Sequence, residues 1–180
     1  MNSSFLSHVA RSWWVLALYG AVAILFGIYL LAWPGASVVA LTWAYGVVAL
    51  AEGVLSLAAL FDKSVQISRA WLVLYALASI LFGVLAIAQP LQMAGVMLLL
   101  LAAWLIVGGV FRIVFAIRVR KAISNEWLLI LSGVLAILLG VLFAMYPAAG
   151  LLTVVLWIGA GALIYGVLQV VAAFRLRSLR

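Results

Sequence analysis

Two ionisable side chains stand inside long apolar stretches of this chain, Glu52 in ALAEGVLSL and Arg112 in VGGVFRIVF. An acid or base placed in hydrocarbon costs about 2.5 to 3.5 kcal/mol on insertion scales, so such a residue is a candidate for proton or ion handling. Glu52 precedes Asp62 by ten residues, about 15 Å at helical rise, and Arg112 precedes Arg118 by six, about 9 Å. A carboxylate at that depth can carry a proton or face a cation. A guanidinium can pair with it or extend its head to the lipid headgroups. Other chemistries find no support. Cysteine is absent, which excludes disulfides, thiolate metal sites and cysteine nucleophiles. The single histidine, His8, cannot form a metal cluster or a histidine-based triad. No Gly-rich phosphate loop with its Lys and no H-E-x-x-H pair occurs. Ser56, Ser79 and Ser132 lie in apolar runs without a base to activate them, where a hydroxyl serves helix carbonyls or a neighbouring helix. The residues therefore predict a protein that is not an enzyme and uses no cofactor or metal.

The elements that must hold Glu52 and Arg112 follow from composition. Hydrophobic residues make up 71% of the chain and charged residues 7%, against roughly 45–50% and 25% in soluble domains. Six apolar runs, at 13–33, 37–61, 70–89, 91–117, 127–146 and 148–174, are each long enough to cross a bilayer as a helix of about 20 residues. The expected fold is an all-α polytopic membrane protein with six transmembrane helices in a single domain over 1–180. The first run exceeds a signal-peptide core of about 7–15 residues and leads directly into a second span, so it is expected to be retained.

Lys and Arg occur at 11, at 63 and 69, at 112, 118, 120 and 121, and at 175, 177 and 180, all on one side of this arrangement. The other three connections, WPGAS, QPLQ and YPAAG, carry no charge. The positive-inside rule makes the basic side cytoplasmic, with both termini there and the turns at Pro34, Pro90 and Pro147 outward. Proline suits such turns by biasing the preceding residue away from helix, which ends the incoming span. Trp33 and Tyr146 on one side, and Trp13, Trp14, Trp71 and Trp127 on the other, read as interfacial belts. The net charge of +7 thus marks a membrane surface rather than a nucleic-acid site. The tail RLRSLR is a topology anchor that can also meet anionic lipid at the cytoplasmic face.

The chain is one hairpin written three times. GAVAILFGIYLLAWP (20–34), ALASILFGVLAIAQP (76–90) and GVLAILLGVLFAMYP (133–147) align without a gap, which sets repeats at about 13–61, 70–117 and 127–174. Two spans return the chain to its starting side, so the copies are parallel and are expected to be related by a pseudo-threefold axis along the membrane normal. Each span carries two small residues seven apart: Gly20 and Gly27, Gly46 and Gly53, Ala76 and Gly83, Ala102 and Gly109, Gly133 and Gly140, Gly159 and Gly166. Seven residues return to nearly the same helix face, with a drift of about 20°, so each span has a smooth seam that lets backbones approach in lipid.

Counted from each proline, Glu52 falls at the position of Gly108 and Tyr165, and Arg112 one turn later at the position of Ser56 and Gln169. These polar residues, Glu52, Ser56, Arg112, Tyr165 and Gln169, are expected to converge in the cytoplasmic half of the bundle, with Glu52 and Arg112 paired directly or through water. The bland readings are an Arg112 that extends to headgroups and a hydrogen-bonded Glu52 without function.

Three tandem hairpins with W…G…G…P in the first span, G…G in the second and Arg at the cytoplasmic end resemble the HdeD family of bacterial acid-resistance membrane proteins. The second copy departs from the pattern at Ala76 and at Trp71, which is displaced by one. The resemblance covers nearly the whole chain and implies a six-span protein of the bacterial inner membrane that serves in acid stress, with no site residues to carry over. The leading expectation is a non-enzymatic stress protein acting through the bilayer, a membrane-protein partner or a second copy of itself. The alternatives are a small channel or carrier for a proton, ion or solute that uses Glu52, and a purely structural membrane scaffold.

Overall fold

The computed structural model describes residues 13–61, 68–119 and 126–178. Within them the chain forms α1 (Trp13–Ala32), α2 (Pro34–Ala58, extended by a 3-10 turn Ala59–Phe61), α3 (Arg69–Ala88), α4 (Pro90–Val119), α5 (Glu126–Met145) and α6 (Pro147–Ser178). No strand occurs among the described residues. All six helices are long and apolar enough to cross a membrane, which makes this a multi-pass membrane protein. The linkers 62–67 and 120–125, and with them Lys63, Arg120 and Lys121, lie outside the described residues, as do His8, Arg11 and Arg180.

The residue before each proline leaves the incoming helix, as expected, and the three prolines also do more. Each is the first residue of the outgoing one, where its missing amide hydrogen is no loss and its fixed φ suits the helix. A single residue, Trp33, Gln89 or Tyr146, joins each pair of helices. Its amide donates the last bond of the incoming helix, to the carbonyls of Tyr29, Leu85 and Leu142 in turn, at 2.8 to 3.0 Å. Its own carbonyl accepts the first bond of the outgoing helix, from the amides of Ser37, Met93 and Gly150, at 2.9 to 3.0 Å. One residue therefore caps two helix ends, and no amide or carbonyl of the corner residue is left for the hydrocarbon to penalise.

The chain divides into two compact units, Met1–Ser37 with Leu152–Arg180, and Val38–Leu151. In the first, α1 lies against α6. A Cβ placed on Gly20 would stand 2.8 Å from the Gly166 carbonyl oxygen, and one on Gly27 would stand 2.8 Å from that of Gly159. Residue numbers rise along one helix as they fall along the other, so the pair is antiparallel. In the second unit α2 meets α3 in the same way: a Cβ on Gly83 would be 2.7 Å from the Gly46 oxygen and one on Gly53 would be 3.1 Å from that of Ala76. Between α4 and α5, a Cβ on Gly109 would be 2.6 Å from the Gly133 oxygen and one on Gly140 would be 2.7 Å from that of Ala102. Real Cβ atoms do not approach a carbonyl below about 3 Å, so five of these six contacts admit only glycine. The seams pair an even helix with the odd helix of the next repeat, and α6 with α1, rather than the two spans of one repeat.

Small residues dominate the buried set, Ala86, Ala116 and Ala173 among them with no accessible surface, beside a few aliphatics such as Leu30 and Leu98. Large apolar side chains point outward, Trp104 at 77% exposure and Phe111 at 70% among them. That inverts the pattern of a water-soluble protein and suits a hydrocarbon solvent. At the start of α3, the Ser68 hydroxyl accepts from the Trp71 amide at 3.2 Å as an N-cap. Ser68→Ala is expected to remove about 1 kcal/mol from this helix start, read as roughly fivefold faster hydrogen exchange at the Trp71 amide; unchanged exchange would show that the cap contributes nothing.

Candidate functional site

The α2·α3 seam dictates what stands beside it. In an antiparallel pair of right-handed helices, the residue before each seam position turns to the same side on both helices, about 100° round. On this flank Tyr45 and Phe82 precede Gly46 and Gly83, and Glu52 and Tyr75 precede Gly53 and Ala76. Both pairs meet. The Tyr45 and Phe82 rings make an edge-to-face contact at 5.6 Å between centroids and 82° between planes. The Tyr75 hydroxyl donates to Glu52 Oε2 at 2.9 Å. The Gly/Ala seam thus fixes the spacing at which a phenol on one helix reaches a carboxylate on the other.

Together these residues line an open groove of about 470 Å³. From α2 it takes Tyr45, Ala49 and Glu52, from α3 Tyr75, Ala78, Ser79 and Phe82, and from α4 Met97 and Leu100. Its lining is mostly aromatic and apolar, with one carboxylate, two phenols and one hydroxyl as polar groups. The volume lies in the range of roughly 300–1,000 Å³ typical of small-molecule sites.

Of the other polar residues, Arg112 and Ser56 belong to the same unit as Glu52, and Tyr165 and Gln169 to the unit of α1 and α6. Arg112 stands on α4 beside a different seam, its Cβ 3.4 Å from where a Cβ on Gly133 would be. Among the described residues no ion pair joins it to Glu52, whose partner is Tyr75. Ser56 lies one turn beyond Glu52 on α2 and is half-buried. In the unit formed by α1 and α6, the Gln169 amide donates to the Tyr165 hydroxyl at 2.6 Å, while its buried Oε1 has no partner among the described residues. The same flank positions beside the other two seams carry no acid. The positions matching Glu52 and Tyr75 are Tyr165 and Tyr19 beside the α6·α1 seam, and Gly108 and Ser132 beside α4·α5. Ser132 donates to the Leu129 carbonyl of its own helix at 2.9 Å. Among the described residues no group of three or more His, Cys, Asp or Glu could hold a metal ion.

Tyr75, Tyr45 and Phe82 were not legible as site residues from composition, because tyrosine and phenylalanine are unremarkable in a span. The signal was available in the seam: once the small residues seven apart are identified on α2 and α3, the residue before each one is a flank residue. No curated protein and no solved structure matches this chain. A family described as a short repeat of unknown function, DUF308, matches it three times in succession, over residues 18–87, 74–145 and 131–180. The overlapping matches recur at the period of the prolines and together cover nearly all of the six helices. The chain belongs to the DUF308 short-repeat family.

Proposed function

We propose that this protein is a non-enzymatic stress protein of the bacterial inner membrane, of the HdeD type, that supports survival in acid through the bilayer or through a membrane-protein partner. In this reading both termini are cytoplasmic and the three repeats are parallel copies about the membrane normal, as the placement of Lys and Arg and the recurrence of Pro34, Pro90 and Pro147 suggest. The observation that carries the reading is the set of glycine seams, in which each helix is locked to one partner by backbone contacts too close for a Cβ. Such pairs act as fixed bodies. Arg118 in the last turn of α4 and Arg175 near the end of α6 suit an anionic lipid surface on the cytoplasmic side.

A second reading, a small carrier or channel, draws on one specific feature, the Glu52 and Tyr75 pair in an open groove within a span. One experiment separates the two. Cells lacking the protein are complemented with the parent or with Glu52→Gln and challenged with acid, and both proteins are reconstituted in liposomes for proton and solute flux. The stress reading expects the parent to restore survival without flux; loss of survival in Glu52→Gln would then tie Glu52 to that role, and unchanged survival would make Glu52 structural. Flux that requires Glu52, together with loss of survival in Glu52→Gln, would replace the stress reading with the carrier reading. No gain in survival from the parent would end the stress reading, and no flux from it would end the carrier reading.

A further inference from the structure

We propose that the groove beside the α2·α3 seam binds a lipophilic organic cation dissolved in the membrane, a quaternary ammonium or phosphonium of drug-like size. The inference goes beyond the stress reading and holds whether or not the bound cation is moved across the bilayer.

Charge is the first reason. Glu52 Oε2 accepts from Tyr75, and among the described residues no Lys or Arg is ion-paired with the carboxylate. A carboxylate this far into a span calls for a positive partner, and the described residues place none beside it. The second reason is the character of the walls. Tyr45, Tyr75 and Phe82 bring three aromatic rings to the same groove, and the faces of such rings attract a cation within about 6 Å of their centres. Met97 and Leu100 complete an apolar lining, and methionine adapts to irregular shapes. A carboxylate, aromatic faces and alkyl side chains together match a cation whose charge is wrapped in hydrocarbon.

The same features argue against other occupants. A calcium ion takes 6–8 oxygen ligands and magnesium an octahedron of them, whereas the groove offers a single carboxylate, two phenols and a hydroxyl. An anion would face Glu52 with no positive charge among the lining residues to oppose it. The ammonium of a lipid headgroup shares the required chemistry, but Glu52 lies ten residues before Asp62, about 15 Å into the span, below the headgroup layer. That depth favours a cation free to enter from the hydrocarbon.

The test uses the full chain in nanodiscs of phosphatidylglycerol, titrated with tetraphenylphosphonium and, as a neutral counterpart with similar rings, triphenylphosphine oxide. Saturable binding of the phosphonium is expected, with the neutral compound weaker by about tenfold or more. Glu52→Gln should weaken phosphonium binding by about tenfold or more, with Glu52→Asp retaining most of it. Phe82→Ala should weaken it by roughly threefold to tenfold, since a ring face is lost and the charge is kept. Thermal unfolding of each variant near the parent value shows that binding, not folding, has changed. The proposal is overturned by non-saturable binding, by equal affinity for the two compounds, by equal binding in Glu52→Gln, or by Glu52→Asp binding no better than Glu52→Gln. Nanodiscs containing phosphatidylethanolamine provide the last arm: unchanged affinity supports a membrane-dissolved cation, and competition by that lipid assigns the groove to headgroups instead.

Discussion

Gly109→Ala is expected to leave little folded protein, while Gly108→Ala, one residue earlier on the same helix, should be as stable as the parent. A Cβ on Gly109 would lie 2.6 Å from the Gly133 carbonyl oxygen and 2.7 Å from Ile137 Cγ1. The isoleucine can rotate away, but the carbonyl belongs to the backbone of α5 and moves only if the whole helix moves. Overpacking typically costs about 1–3 kcal/mol, and here it is exacted from a seam that is the main contact between two helices. In lipid no hydrophobic force restores what is lost, because the separated helices are as well solvated by acyl chains as by each other. Gly108 has nothing within 4 Å of the same added atom, and alanine there is favoured by up to about 1 kcal/mol of helix propensity. Unfolding of the purified protein by SDS titrated into a mild detergent checks both variants. Equal stability of the two would mean that the seam does not hold α4 to α5.

A chain stopped after Tyr146 should fail to accumulate in the membrane, and a separate segment covering 147–180 should restore it. The reason lies in which helices meet. The seam residues of α1, Gly20 and Gly27, face Gly166 and Gly159 on α6, so without α6 the first helix keeps a bare small-residue face. Leu30, only 1% exposed, would also be uncovered, since its Cβ stands 3.0 Å from where a Cβ on Gly159 would be. Rescue should require the seam: a segment carrying both Gly159→Leu and Gly166→Leu should not restore the truncated chain. Protein level in isolated membranes and resistance to detergent extraction provide the measurement. A truncated chain as abundant and as heat-stable as the parent would show that α1 needs no partner.

Much of the fold was legible because two strong patterns coincide. The apolar runs gave the six helices to within a few residues, as with 127–146 against Glu126–Met145, since a bilayer sets helix length and little else competes with it. The small residues seven apart marked the faces that touch, but not which face meets which. A seam on α2 looks the same whether it packs on α1 or on α3, and only the fold sets Gly46 opposite Gly83. The prolines mark the ends of the incoming helices because the residue before proline leaves the helix, and each proline also opens the next helix, where its fixed φ fits the first turn. The candidate site was half legible. Glu52 stood out as an acid in hydrocarbon, yet the repeat frame compared only even helices, so its partner on α3 fell outside the comparison. Arg112 attracted attention by charge, although its seam belongs to α4 and α5.

The one-residue corners have a mechanical consequence. α3 is clamped along its length to α2 and joined to α4 through Gln89 alone, while α4 is clamped in turn to α5. There is no slack at the joint to absorb a change in tilt. A bilayer that thins or thickens and so tips α2 must pass that rotation through α3 to α4 and α5, as in a train of rigid links. Glu52 and Tyr75 ride on the first pair of those links and Met97 and Leu100 on the next, so the width of the groove between them would report the thickness of the membrane around it.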